Sequence, residues 1–300
     1  MELVIDEDGI RIDSYLSNKL DYSRSKIVKM IKDGAITVNG KNVKNSYILK
    51  KGDVISIGEY EEEDMDVTPE NIPLDIVYED DDVMVINKPN GMVVHPAIGN
   101  NHGTLVNALL YYSKNLSNIN GEFRPGIVHR IDAYTTGLLM VAKNNKAHEI
   151  LAEELSKKET SRKYIALVWG VIKEDTATID APIGRDLNDR KKMAVTSINS
   201  KDAITHLKVL ERYKNATLIE LQLETGRTHQ IRVHMNYIGH PIVNDPVYGK
   251  RKIIDNTGQC LHAFQIGFIH PKTKEYMEFK CDMPECFTNI LDKFKNDTLI

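Results

Sequence analysis

The chain of 300 residues is 41% hydrophobic and 27% charged, with a formal net charge of −4. This is an ordinary soluble composition, with enough residues for the core of one large or two ordinary domains. No apolar run is long enough to span a bilayer, and the acidic start MELVIDEDGI does not read as a signal peptide, so no membrane is expected. Three cysteines, Cys260, Cys281 and Cys286, without a signal segment point to a reducing cytoplasm. Cys281 and Cys286 lack partners at zinc-finger spacing, so no metal is expected. No Walker or dinucleotide glycine motif is present, which argues against a nucleotide cofactor.

The charge is unevenly spread. Residues 11–51 hold ten lysines and arginines against Asp13, Asp21 and Asp33, whereas Glu59, Glu61, Glu62, Glu63, Asp64 and Asp66 follow with no basic residue among them. That change predicts a domain boundary: residues 1–66 as one domain with its acidic linker, and 67–300 as another. The plain alternative for such a charge run is a solvated face. In RIDSYLSNKL, Ile12, Leu16 and Leu20 recur at helical spacing, with Asp13 as the N-cap. SRSKIVKMIKDG predicts a second helix, capped by Ser23 or Ser25, with Ile27 and Ile31 on one face and Lys26, Lys29 and Lys32 on another. AITVNGKNV alternates and then turns at Asn39-Gly40, a hairpin signal, and GDVISIG is a further short strand. SRS, DGAITVNG and KKGDVI together, over residues 11–58, resemble the S4 RNA-binding domain. The resemblance makes Arg24, Lys26, Lys29 and Lys32 candidate RNA contacts.

Beyond the acidic stretch, DVMVINKPNGMVVHP predicts a strand, a turn and a second strand, and TLVNALLYYS a helix capped by Thr104. GLLMVAKN reads as a buried strand, and NNKAHEILAEELSKKE as a helix with Ala147, Ile150, Leu151 and Leu155 inward. KYIALVWG, THLKVLERY and ATLIELQLE are strands. TGRTHQIRVHMNYIG begins at a glycine turn, continues as a helix and stops at Gly239, and LHAFQIGFIHP and EYMEFKC close the chain as strands. Strands with interspersed helices, but without β-α alternation, predict an α+β domain with a mixed, largely antiparallel sheet. Between the first helix of this part and GLLMVAKN lies GIVHRIDAYTTGLL, which sets Arg130 and Asp132 among apolar residues on a loop ahead of a strand.

Six motifs, NKPNGMVVHP, HRIDAYTTGLLMVAKN, SRKYIALVWG, DRKKMAV, LETGRTHQIRVHM and LHAFQIGF, occur in one order along the chain. They resemble the RluA/RluD family of pseudouridine synthases. With the S4-like segment, the resemblance covers nearly the whole chain. It implies isomerisation of specific uridines, most often in large-subunit ribosomal RNA or a pre-ribosomal particle, by a monomer without a cofactor. It implies Asp132 as the catalytic carboxylate, Tyr164 as the active-site tyrosine and Arg227 as the basic partner that keeps Asp132 ionised. Leu261 is implied as the apolar residue beside the base, and Arg130 as a contact that disturbs the RNA fold. Arg190, Lys191 and Lys192 are candidate phosphate contacts.

Each residue also has a structural reading. Asp132 could pair with Arg130 or accept loop amides, Tyr164 could be a core aromatic, Arg227 could be a turn residue binding a phosphate, and His129 a satisfied structural histidine. His229 and His234 are wrongly spaced for two ligands on one helical face. The family pattern usually carries a charged pair and Thr-Ser-Gly after the aspartate. Here Ala133 and Tyr134 occupy the charged positions, Thr136 replaces the serine, and IGRDLNDRKK lacks a His-Pro pair. Two rival functions remain. A non-catalytic RNA-binding protein on the same fold would not need the Asp, Tyr and Arg set. A two-carboxylate glycoside hydrolase would need a second acid paired with Asp132.

Overall fold

A computed structural model describes every residue except 21, 23, 61–66, 97–99, 120, 122–123, 190–191, 250–252 and 299–300, and all side chains of the remainder but that of residue 25. The chain divides into two compact units, Met1–Asp64 and Met65–Ile300.

The first unit comprises β1 (Glu2–Val4), α1 (Ile12–Lys19), α2 (Arg24–Lys32), β2 (Ile36–Val38) and β3 (Val54–Ile57). Its core is built from the apolar faces of both helices, with Ile12, Leu16, Ile27, Met30 and Ile31 packed on Ile36, Leu49 and Ile55. The antiparallel sheet runs β1-β3-β2. The chain turns at Asn39-Gly40 with both residues at positive φ, but no hairpin ladder follows. A single bridge joins Val38 to Lys41, and β2 pairs with the distant β3 instead. Asp13 is not the cap of α1. Arg11 holds that position without a side-chain cap, and Asp13 is buried in the first turn, accepting from Arg11 at 2.8 Å and Arg24 at 3.0 Å. Arg24 therefore anchors a buried carboxylate rather than standing as a free basic contact. The expected serine cap of α2 falls on residue 23, or on the side chain of residue 25, outside what is described. Lys29 and Lys32 lie on α2, Lys32 exposed, and Lys26 Nζ sits 4.8 Å from the ring centre of Tyr22.

The second unit continues with β4 (Ile76–Glu79), β5 (Val83–Lys88), α3 (Leu105–Tyr112), β6 (Thr136–Ala142), α4 (Asn145–Lys157), β7 (Ser161–Trp169), β8 (Thr176–Asp180), β9 (Ile183–Arg185) and β10 (Met193–Val195). It ends with β11 (Ile204–Arg212), β12 (Ala216–Leu223), α5 (Gln230–Tyr237), β13 (Leu261–Ile269), β14 (Tyr276–Lys280) and α6 (Glu285–Lys295). One nine-stranded sheet runs β4-β5-β6-β13-β7-β12-β11-β8, with β14 also on β13 and a separate β9-β10 pair. Among the described residues only β6 and β13 pair in parallel, so the sheet is mixed and largely antiparallel. Its central strands are covered on both faces, which is why β5 and β6 read as continuous apolar runs. Met84, Ile86, Leu139 and Val141 belong to the large core cluster that also holds the apolar residues of α3 and α6, whereas Val83, Val85, Leu138 and Met140 join Ala147 and Leu151 of α4. Thr104 caps α3 as expected, in a capping box with Asn107.

Residues 92–95 do not form the second strand expected there. The carbonyls of Val93 and Val94 instead accept from the first amides of α3, Leu105 and Val106, groups that a helix start leaves without partners. No helix among the described residues is long and apolar enough to cross a membrane.

Candidate active site

The loop between residue 130 and β6 carries Asp132, and its shape is imposed from below by Lys88. This lysine ends β5 fully buried, and its Nζ donates to the carbonyls of Pro89 (2.8 Å), Met92 (2.9 Å) and Ala133 (2.8 Å). Burial pushes Lys88 down to about 7, opposed by the charge of Asp132. Three carbonyl acceptors match the three N–H groups of an ammonium. Lys88 thus ties the Lys-Pro-Asn-Gly turn to the residue after Asp132. Only the backbone of residue 133 is used, so the tie does not depend on the side chain there. Thr135 N donates to Asp132 O at 3.0 Å, Gln259 Nε2 donates to Thr135 Oγ1 at 3.1 Å, and Thr136 Oγ1 lies 2.8 Å from His262 Nδ1. The loop is held from β5, from β13 and from the segment before β13.

The guanidinium beside Asp132 belongs to Arg232 and not to Arg227. Arg232 Nη1 donates to Asp132 Oδ2 at 2.8 Å, while its Nε and Nη2 grip Asp245 at 2.7 and 2.9 Å. Asp245 is wholly buried and its Oδ1 also accepts the amides of Val247 and Tyr248. The bidentate pair fixes the plane of the guanidinium, and an Nη1 N–H is thereby aimed at Asp132. Burial works against the Arg232 charge, but the hydrogen bonds and fields of Asp245 and Asp132 outweigh it and hold its pKa above the ordinary arginine value. Arg227 precedes α5, in the turn, where its Nε donates to the Asp202 carbonyl at 2.9 Å. The helix starts only at Gln230, whose side-chain oxygen accepts Arg227 N, so Arg232 rather than Arg227 is carried by the helix to the carboxylate. His229 stands near: its Nε2 is 3.9 Å from Asp132 Oδ1 and its Nδ1 is 2.8 Å from the Tyr248 hydroxyl. Burial pushes the His229 pKa down despite the neighbouring Asp132.

These groups open onto a cavity of about 470 Å³, lined among others by Arg130, Asp132, Tyr164, Arg227, Arg232 and Leu261. Five of these six are residues expected from the sequence, brought together from the Asp132 loop, β7, the turn before α5 and β13. Tyr164 and Leu261 are buried, and Arg130 is exposed and is not paired with Asp132. Burial pushes the Tyr164 phenol up, so it is neutral at neutral pH. His129 is a structural histidine, its Nε2 accepting Met140 N at 3.1 Å. Asp132 is the single acidic side chain in the cavity lining, among the described residues, and Asp245 lies behind Arg232. This arrangement lacks the facing carboxylates of a glycoside hydrolase. Asp80, Asp82 and His270 form one cluster of possible metal ligands, but Asp80 already accepts Tyr78, His270 and two backbone amides. Arg190 and Lys191 lie outside the described residues, and Lys192 stands 3.8 Å from Asp189.

Sequence reasoning missed Arg232, Asp245 and Lys88. The usable signal for Arg232 was an arginine flanked by Ile231 and Val233, since a charge set between apolar helix residues needs a buried partner.

Residues 82–237 match the RNA pseudouridylate synthase family model, and residues 10–55 match the S4 domain. The chain belongs to the RNA pseudouridylate synthase family. It is therefore an isomerase. It is 54% identical over 288 residues to the uncharacterized RNA pseudouridine synthase YlyB of Bacillus subtilis (strain 168), covering 96% of this chain and 95% of that protein. It is 43% identical over 296 residues to the ribosomal large subunit pseudouridine synthase D of Neisseria meningitidis serogroup B (strain ATCC BAA-335 / MC58), covering 94% and 78%. Among solved structures, human RNA pseudouridylate synthase domain containing 1 superposes with a TM-score of 0.58 at 26% identity, over 74% of this chain and 95% of that one. The matched stretch of this pseudouridylate synthase runs from β5 through α5, and so spans Lys88, Asp132, Tyr164 and Arg232.

Proposed function

We propose that Asp132 is the catalytic carboxylate of this isomerase and that the substrates are specific uridines of large-subunit ribosomal RNA. The observation that carries the reading is the Asp132 carboxylate itself, fixed by Arg232 at 2.8 Å in a cavity shared with Tyr164 and Leu261. In the reaction the N1–C1′ bond of uridine breaks, the uracil turns, and C5 bonds to C1′. The C5 proton is lost and N1 gains one, so atoms balance without a cofactor. The base must leave the RNA stack to reach such a cavity. Arg232 holds and orients the carboxylate of Asp132, which acts on the sugar or the base. Tyr164 stacks on the uracil and assists removal of the C5 proton, and Leu261 supplies the apolar wall. Arg130, exposed at the cavity lining, engages the RNA and disturbs its fold. The relatives named for large-subunit pseudouridine synthesis support the substrate class. The S4 match supports RNA binding by the first unit.

The test is Asp132→Asn, nearly isosteric but unable to act as nucleophile or base. Single-turnover assays on large-subunit rRNA, with pseudouridine mapping in cells with and without the gene, should show modification only with the wild-type chain. RNA affinity and thermal stability of the variant should persist. Turnover by a sequence-verified Asp132→Asn protein would overturn the role of Asp132. A map unchanged by loss of the gene would favour a non-catalytic RNA-binding protein.

A further inference from the structure

Arg162 stands two residues before Tyr164 on β7, and strand alternation puts both on the cavity face. The residue is 7% exposed, and its Nε has no hydrogen-bond partner. No ion pair reaches it from any described residue, in contrast to Arg232, whose fork is filled by Asp245 and Asp132. Gly226 lies against it: a Cβ at that position would come within 2.7 Å of Arg162 Nη1, so the guanidinium fills the space that any other residue there would claim. Burial, and then the charge of Arg162, push the nearby His129 down to about 3. Arg124, Arg130 and Arg227 also line the cavity, while its one carboxylate is already engaged by Arg232. Among the described residues the lining is thus cationic in excess, with a desolvated guanidinium built in and lacking a counter-charge. Such an arrangement is costly unless an anion completes it.

We propose that Arg162 is the cavity's anion-binding residue and that it takes a phosphodiester group of the RNA beside the nucleotide turned into the site. A guanidinium matches phosphate oxygens with two parallel N–H donors, and a buried one gives a directional contact that a solvated lysine does not. Neutral uracil offers no comparable charge. The contact would fix the backbone while Asp132 and Tyr164 work on the sugar and base, a positioning role. This rests on the cavity being the RNA site.

The test uses the full chain labelled with 15N-arginine. The Arg162 Nε–H resonance is identified by its loss in Arg162→Lys. Titration with uridine 5′-monophosphate should shift it saturably, inorganic phosphate should shift it more weakly, and uridine should leave it in place. A resonance unmoved by uridine 5′-monophosphate, or moved equally by uridine, would overturn the proposal, the second result placing the guanidinium against the base. In a parallel assay on a large-subunit rRNA fragment, Arg162→Met should lower affinity about tenfold or more. It should also flatten the dependence of log affinity on log salt by about one, and Arg162→Lys should restore the slope. An unchanged slope in Arg162→Met counts against the phosphate contact. A wild-type chain that forms no pseudouridine would instead refute the proposed reaction, and both binding measurements would still judge Arg162.

Discussion

Two carboxylates, Asp132 in the cavity lining and Asp245 behind it, share one guanidinium, and they do so unequally. Asp245 holds two of the Arg232 donors from full burial, while Asp132 takes the third from the solvent-facing side. Removing Arg232 would leave Asp245 as a buried, uncompensated charge, a change that typically costs about 3–5 kcal/mol. Arg232→Met should therefore lose stability on that scale in denaturant melts. Arg232→Lys, which keeps a charge but not the fork, should fold better and still lose about two orders of magnitude in single-turnover rate. Arg227→Met, by contrast, breaks a single bond to the Asp202 carbonyl, and should shift stability by less than about 1 kcal/mol. Equal losses from the two arginines would contradict this division. The motif TGRTHQIR presents both arginines, five apart, in one line of text. Which of them reaches Asp132 depends on where the helix begins, and the left-handed His229 that precedes α5 gave no sign of that in the sequence. Asp132, Tyr164 and Leu261 were legible because each lies in a motif whose order along the chain is distinctive.

Among the secondary-structure elements, the parallel contact between β6 and β13 sets the geometry next to the site. Gly137 sits in β6 at φ +106, and a Cβ there would lie 2.3 Å from the Ala263 carbonyl oxygen. The glycine in the Thr-Thr-Gly run after Asp132 is thus required by backbone approach between two strands. Gly137→Ala would force β13 away, carrying Leu261 and the His262 partner of Thr136 with it. Thermal melts should show a strongly destabilised variant with little remaining turnover. A Gly137→Ala chain with wild-type melting temperature would show that the strands can part freely. The strands and helices with strong periodicity, such as β6, α3 and α4, were readable from pattern alone. β1 was hidden by its acidic surroundings, and its strand character comes from pairing with β3. α6 has a helical period in Phe287, Ile290, Leu291 and Phe294, but it follows Pro284 without a side-chain cap to announce it. The Met-Val-Val run after the Lys-Pro-Asn-Gly turn looked like a strand because three apolar residues in a row satisfy several templates equally.

For the molecule as a whole, each unit carries its own buried core, so the first can be removed without opening the second. A chain lacking residues 1–64 should keep its melting transition and its Asp132-dependent chemistry. It should bind rRNA more weakly and with a flatter salt dependence, since affinity for a polyanion follows the lysines and arginines that release counterions. Arg24 contributes less to that loss than its charge suggests, because Asp13 already engages it. Binding isotherms over a salt series decide the matter: identical slopes for both chains would mean that the basic face of α2 is only solvated surface.

The order of strands in the sheet also bears on when the site is completed as the chain folds. β4-β5-β6 and β7-β12-β11-β8 are two blocks, each local in sequence, and β13 alone lies between them. Asp132 leads into the first block and Tyr164 belongs to the second. Each block can pair within itself and still lack the strand that joins them until β13 is in place. Until then β6 and β7 present unpaired edges, and the carboxylate and the tyrosine sit on separate pieces. The cavity that brings Asp132 and Tyr164 together is thus complete only once β13 has paired with both β6 and β7.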